Sequence, residues 1–414
     1  MSLSKKQTGD RIFLSFSLLI LFLTSFPLSQ GWIPLGDFRP RVLLLVVSII
    51  CCARCCCSKD LIWLYVYYVY RIIALLLGPG IDPIGELSLL MELIIPIIIA
   101  NFVFNETERS AKTVAIFAII LTVITLLLTI RFLSYDHDIM RNMVVISAWG
   151  GIEEVRKYWR VGVCSYSFAQ IMMCLPPVLF HRFLMTKRIL LKVTFLVSSF
   201  FVLYFVYASQ ITTTFFLCVL MIILVLATQS MSMRNTMLWI IVVAFVGIIS
   251  YDHILHFLAD YFDIDTEIGA HAIGAYQFIT EGGASSDAYD VDGRVDLYGL
   301  SLNVFYNNPI FGNTIDKIGG HNFLLDNLAR YGIVGCIPLF LFFYHRFSTT
   351  IKNLDIKDKK IYAICIMGFV LLACIKNVVG IDNWMYMFLY IPCFLKMTES
   401  KVKNENRLPN IISR

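Results

Sequence analysis

An all-α, polytopic membrane protein of about twelve transmembrane helices is the fold class that the sequence predicts, and three observations predict it. The 414-residue chain is 58% hydrophobic and only 15% charged, with a mean hydropathy of +0.75. Its apolar residues fall into runs close to the ~20 residues that cross the hydrocarbon core of a bilayer. Backbone N–H and C=O groups in lipid must be satisfied within each crossing, so these runs are read as helices, not strands.

The first run, 12–28, follows Lys5, Lys6 and Arg11, as the apolar part of a signal peptide would. It lacks a small-x-small cleavage site, and further spans follow, so it is expected to remain as the first helix. The next two runs, 42–57 and 61–78, are interrupted by Arg54 and Arg71 and joined by the short link "SKD". Five cysteines in "CCARCCC", Cys51 to Cys57, end the first of these. With no second ligand cluster to complete a metal site, they are read as small, soft residues of a membrane helix. Runs at 84–104, 113–133, 161–180, 189–208, 211–228 and 236–251 come next, then 332–347, 361–379 and 381–397.

Orientation follows from the bases. With the N-terminus cytoplasmic, 21 Lys and Arg lie inside and 11 outside, and both termini are cytoplasmic. The net charge of +5 is dispersed over many short links, so no nucleic-acid surface is expected. Residues 1–414 are expected to form a single integral membrane domain. Two outer loops are long, 134–160 and 252–331, and each is expected to carry short interfacial helices. Long loops of this kind carry function more often than they merely connect, which places function on the outer face.

The larger loop is acidic. From Asp252 to Gly320 it holds eleven Asp and Glu against two bases, Arg294 and Lys317. "DAYDVDGRVD" invites comparison with a calcium loop. Placing Asp292 and Gly293 at that loop's fifth and sixth positions puts Ala288 first and Gly299 last, where carboxylates are required. No metal site is therefore assigned. "NNPIFGN", Asn307 to Asn313, is turn chemistry.

Then comes "GGHNFLLDNLARYGIVG", Gly319 to Gly335. The glycines allow a sharp turn, and His321 or Asn322 is placed to start a helix, whose first N–H groups suit anionic oxygens. Phe323, Leu324, Leu325, Leu328 and Tyr331 fall on one face of that helix. Asn322, Asp326 and Arg330 fall on the other, where Asp326 and Arg330 are also spaced to pair with each other. At the membrane lip a His, which titrates near neutrality, can act as a general base. An Arg can grip a diphosphate through two hydrogen bonds without a metal. Together they suit attack by a hydroxyl on a carbon whose leaving group is a lipid-linked diphosphate.

At "NPIFGN" followed by "GGHNFLLDNLARYGIVG" and an immediate span, the sequence resembles the superfamily of O-antigen polymerases and O-antigen ligases, membrane-embedded glycosyltransferases. The late position of the largest outer loop and the dozen apolar runs add to the likeness, as, more weakly, does "YWRVGVCSYSFAQ", Tyr158 to Gln170. The resemblance implies a GT-C-like fold in the bacterial inner membrane. It also implies undecaprenyl diphosphate-linked glycans as donor and acceptor, catalysis at the periplasmic face, and no cofactor. It places the catalytic base on His321 and a donor-binding arginine on Arg294, with Arg160 or Arg141 as a second anion contact. Asn322, Asp326 and Arg330 would line the substrate. A flippase and a chain-length regulator are the protein partners that it implies. Polymerase is the favoured activity and transfer of the glycan to lipid A core the alternative. A lipid-linked oligosaccharide flippase is a third reading, for which Glu86, Glu92, Arg71 and Lys192 within or near the spans would be pathway residues.

Overall fold

The computed structural model describes residues 55–77, 83–105, 108–136, 139–148, 151–229, 291–378 and 380–398, with parts of 12–29 and single positions between 231 and 242. Every regular element among them is a helix. We label them α1 (Lys59–Leu77), α2 (Pro83–Asn105), α3 (Glu108–Leu133), α4 (Ile139–Ala148), α5 (Ile152–Arg160), α6 (Tyr166–Met185), α7 (Ile189–Ala208), α8 (Thr212–Thr228), α9 (Val291–Asn307), α10 (Phe323–Lys352), α11 (Ile356–Ile375) and α12 (residues 381–398). Four of them, spanning Arg109–Leu133 of α3, α6, α7 and α10, are long and apolar enough to cross a membrane. Residues 42–54 of the expected run 42–57, residues 243–251 of the expected run 236–251, and the loop as far as residue 290 lie outside the described residues.

Burial follows helix by helix from side-chain chemistry. In α2, every residue from Leu93 to Val103 is buried, so this helix is central. In α3, Ile116, Ile119, Ile120, Val123, Ile124 and Leu127 form an exposed hydrocarbon face, and α7 repeats the pattern with Val193, Val197, Phe200 and Tyr204. Continuous apolar faces of this kind are disfavoured in water and natural in lipid. Within 134–160, the described residues include two short helices, α4 and α5.

Two irregularities trace to particular residues. Pro176 and Pro177 lack the N–H groups that would bond Met172 and Met173, and α6 tightens there into a 3-10 turn at Met172–Cys174. In α10, Gly332 has φ 62 and ψ −173, a conformation open to glycine. The break frees two rungs of the helical ladder, and the segment 309–313 fills them. Ile333 N–H donates to the Pro309 carbonyl at 2.9 Å, Val334 N–H to the Ile310 carbonyl at 3.0 Å, and Asn313 N–H to the freed Ala329 carbonyl at 2.9 Å. "NPIFGN" and "ARYGIVG" are thus two halves of one interlock. A Cβ on Gly332 would collide with the backbone of Ile310 and Gly312. Gly332→Ala is expected to cost at least ~1–3 kcal/mol from the backbone conformation alone. The check is the folded fraction surviving a heating series in detergent.

Contacts define two ends of the bundle. At one, here called lower, Arg346 of α10 is 1% exposed and donates to Asp60 of α1 at 3.2 Å, Asn101 of α2 at 2.6 Å and the Phe388 carbonyl of α12 at 3.2 Å. Arg182 of α6 donates there to Asp358 of α11 at 2.8 Å and to the Leu395 carbonyl at 2.7 Å. Removing one partner leaves the other charge buried without compensation. Arg346→Ala is expected to destabilise by ~3–5 kcal/mol, read as a fall in the denaturant midpoint of the purified protein. At the upper end meet the starts of α6, α10 and α12 and the close of α11. There Ser165 donates to Asp382 at 2.6 Å and Phe323 N–H to the Lys376 carbonyl at 3.2 Å.

Candidate functional site

The site at the upper end is built on the turn that carries His321. Gly320 has φ 75, so the chain reverses at a glycine, as expected from the doublet. Asn322 is the N-cap of α10, and its side-chain oxygen accepts from Leu325 N–H at 2.9 Å. Asp326 returns the favour, accepting from Asn322 N–H at 3.0 Å, one residue later than in the usual capping box. Ser301 of α9 then joins three segments. Its hydroxyl donates to Asp326 at 2.5 Å and accepts from Gly319 N–H at 2.9 Å. Asn322 Nδ2 also donates to the Cys374 carbonyl, and Asn377 Nδ2 to the Gly320 carbonyl at 3.3 Å. His321 is exposed, on a turn fixed from both sides by α9 and α11.

Beside this turn is a cavity of about 170 Å³. Its lining includes Arg71 and Tyr67 of α1, Gly320 of the turn, and Arg330 and Tyr331 of α10. The Arg71 guanidinium lies 5.5 Å from the centroid of the Tyr67 ring and 5.1 Å from that of Tyr331, within cation–π range of both. Tyr67 OH donates to Asn327 Oδ1 at 2.5 Å, and Asn327 Nδ2 donates to the Phe323 carbonyl at 2.6 Å. Tyr331 is 1% exposed, and its hydroxyl has no hydrogen-bond partner among the described residues. A buried hydroxyl of this kind marks a place where a ligand atom would complete the bonding. Trp384 of α12 also lines the cavity; its ring lies 5.7 Å from those of both Phe343 and Phe388, which are themselves 6.4 Å apart, so the three form one aromatic cluster. One wall is therefore cationic and polar, and another aromatic.

The residues singled out in the sequence separate here. Arg330 and Asp326 line the cavity, with His321 on the adjoining turn. Asn322 and Asp326 were expected on the face away from the apolar one. Instead both are buried, 8% exposed each, because α9 and α11 pack over that face and take up their polar atoms. These two act as clamps on the turn. Arg160 is exposed at the end of α5 and does not line the cavity. Arg141 lies on α4 and Arg294 on α9, with side chains outside the described residues. Glu86 and Glu92 lie on α2, likewise with side chains outside the described residues. The cluster at Cys51–Cys57 is described only from Cys55 onward, where Cys55 and Cys56 are buried and Cys57 is exposed.

Arg71, which in the sequence interrupts a span and is a pathway residue only in the flippase reading, is a wall of the cavity. The signal was present in "YVYYVYR": Tyr67 and Tyr68 precede Arg71 by four and three residues and so lie on its helix face. Comparison of the chain with protein-family models, with curated proteins and with solved structures returns no match.

Proposed function

We propose that this chain is a twelve-span inner-membrane glycosyltransferase of the O-antigen polymerase type, with its upper end at the periplasmic face. The observation that carries this reading is the pairing of a histidine turn with an arginine-lined cavity at one end of an apolar helical bundle. In this reading the donor is a growing glycan on undecaprenyl diphosphate, and the acceptor is a new lipid-linked repeat unit. His321 takes the proton of the acceptor hydroxyl. The acceptor oxygen forms a bond to the anomeric carbon of the donor as the bond from that carbon to the lipid diphosphate breaks. The diphosphate leaves with the electron pair, held by Arg71 and Arg330 and by Arg294 from the large loop, while the histidine returns its proton to solvent. Charged donors aimed at such a leaving group make strong, short hydrogen bonds to it, so no metal is required for this step.

The lipopolysaccharide banding pattern of a deletion strain separates this activity from its neighbours. Core capped by a single repeat unit is expected, since flipping and ligation then survive. Bare core with long polymer on the carrier lipid would indicate a ligase. Bare core with only single lipid-linked units, held on the cytoplasmic side, would indicate a flippase.

A further inference from the structure

Sharing no lining residue with the arginine-lined cavity, α3, α6, α7 and α12 enclose an elongated groove of about 320 Å³. Most of its lining is hydrocarbon or aromatic, including Ala118, Leu179, Phe195 and Phe394. Along α7 it runs from Leu191 to Val202, which at 1.5 Å per residue is about 16 Å, close to half of a ~30 Å hydrocarbon core. Its rim is the outward face of α3, where Ile119 and Val123 are exposed, so it opens sideways toward lipid and not toward water.

The lower end of the groove is polar. Arg182 and Thr186 line it there, 3% and 5% exposed. Arg182 spends one nitrogen, Nη2, on Asp358 and the Leu395 carbonyl. Arg182 Nε and the Thr186 hydroxyl are buried with no hydrogen-bond partner among the described residues. Buried donors are normally satisfied, and two together at the mouth of a groove mark the position of a ligand's acceptor oxygens. Lys187 and Arg188 follow at once on the α6–α7 turn, both exposed.

We propose that this groove seats one acyl chain of an anionic phospholipid, with the phosphate at Arg182 and Thr186 and the headgroup charge read by Lys187 and Arg188. The site is separate from the transferase cavity, and its test does not depend on that activity. The protein, purified in mild detergent, is examined by native mass spectrometry with added phosphatidylglycerol or phosphatidylethanolamine. One tightly held phospholipid is expected, with phosphatidylglycerol preferred. Ser198→Phe, which fills the groove, is expected to remove the bound lipid, whereas Ser198→Ala keeps it. The surface double variant Lys187→Gln/Arg188→Gln is expected to lower the preference for anionic lipid about five-fold per charge, ~1 kcal/mol each. Equal retention of the two lipids by the wild-type protein would overturn the proposal. So would lipid binding unchanged in Ser198→Phe, or a retained polyisoprenoid in place of a phospholipid.

Discussion

His321→Ala is expected to abolish chain extension while leaving the protein in the membrane at wild-type amount. A positioned general base contributes ~10²–10⁴-fold, and loss of that order leaves no ladder visible on a gel. His321 is exposed, and the contacts that shape its turn are made by neighbours: Gly319 to Ser301, the Gly320 carbonyl to Asn377, and Asn322 to Leu325 and Cys374. Near-normal chain lengths in this variant would sink the catalytic assignment. Asp326→Asn provides the contrast. It weakens the clamp on the turn without removing the base, so reduced rather than absent polymer is expected, together with a lower thermal midpoint.

Arg71→Gln is expected to have the second-largest effect. An arginine that holds a charged oxygen in a desolvated cavity loses about 2–5 kcal/mol of interaction when truncated, equivalent to roughly thirty-fold to a few thousand-fold weaker donor binding. Arg71→Lys is expected to recover little, because an ammonium lacks the planar fork that grips two oxygens and lies against aromatic rings. The rings here are Tyr67 and Tyr331. The measurement is polymer length and amount in a deletion strain carrying each variant at matched protein level. If Arg71→Gln makes wild-type polymer, the cavity does not hold the diphosphate. Should the variant instead prove unstable, the partial variant Tyr331→Phe still tests the cavity. It removes only a hydroxyl that has no hydrogen-bond partner among the described residues, so it is expected to weaken donor binding without lowering stability.

Most helices could be read from hydrocarbon runs, because a backbone in lipid has few alternatives to a helix. The run 189–208 coincides with α7, and 211–228 with α8 to within a residue. The start of α10 was legible for a local reason: Asn322 is a cap residue, followed closely by an acid that can return the hydrogen bond. What lay beyond local sequence is tertiary. Helical spacing put Asn322, Asp326 and Arg330 on one face, but spacing does not say what packs on a face, and α9 and α11 turn two of the three into buried clamps. The break at Gly332 depends on Pro309 and Ile310 supplying carbonyls from twenty-odd residues away, so a helical wheel drawn through "ARYGIVG" runs straight on. Arg71 joins the site across more than 250 residues of chain, through Tyr67 and its bond to Asn327. No pattern within either segment encodes that meeting.

The most direct test is reconstitution. Purified protein in liposomes is given lipid-linked repeat units extracted from the deletion strain, in the presence of a chelator, and the glycans are separated by size. A ladder of two or more repeats on one carrier lipid, absent with His321→Ala, is the expected result. Single repeat units that remain unextended, or a ladder that the His321→Ala protein makes equally well, would contradict a base-assisted polymerase at the upper end of this bundle.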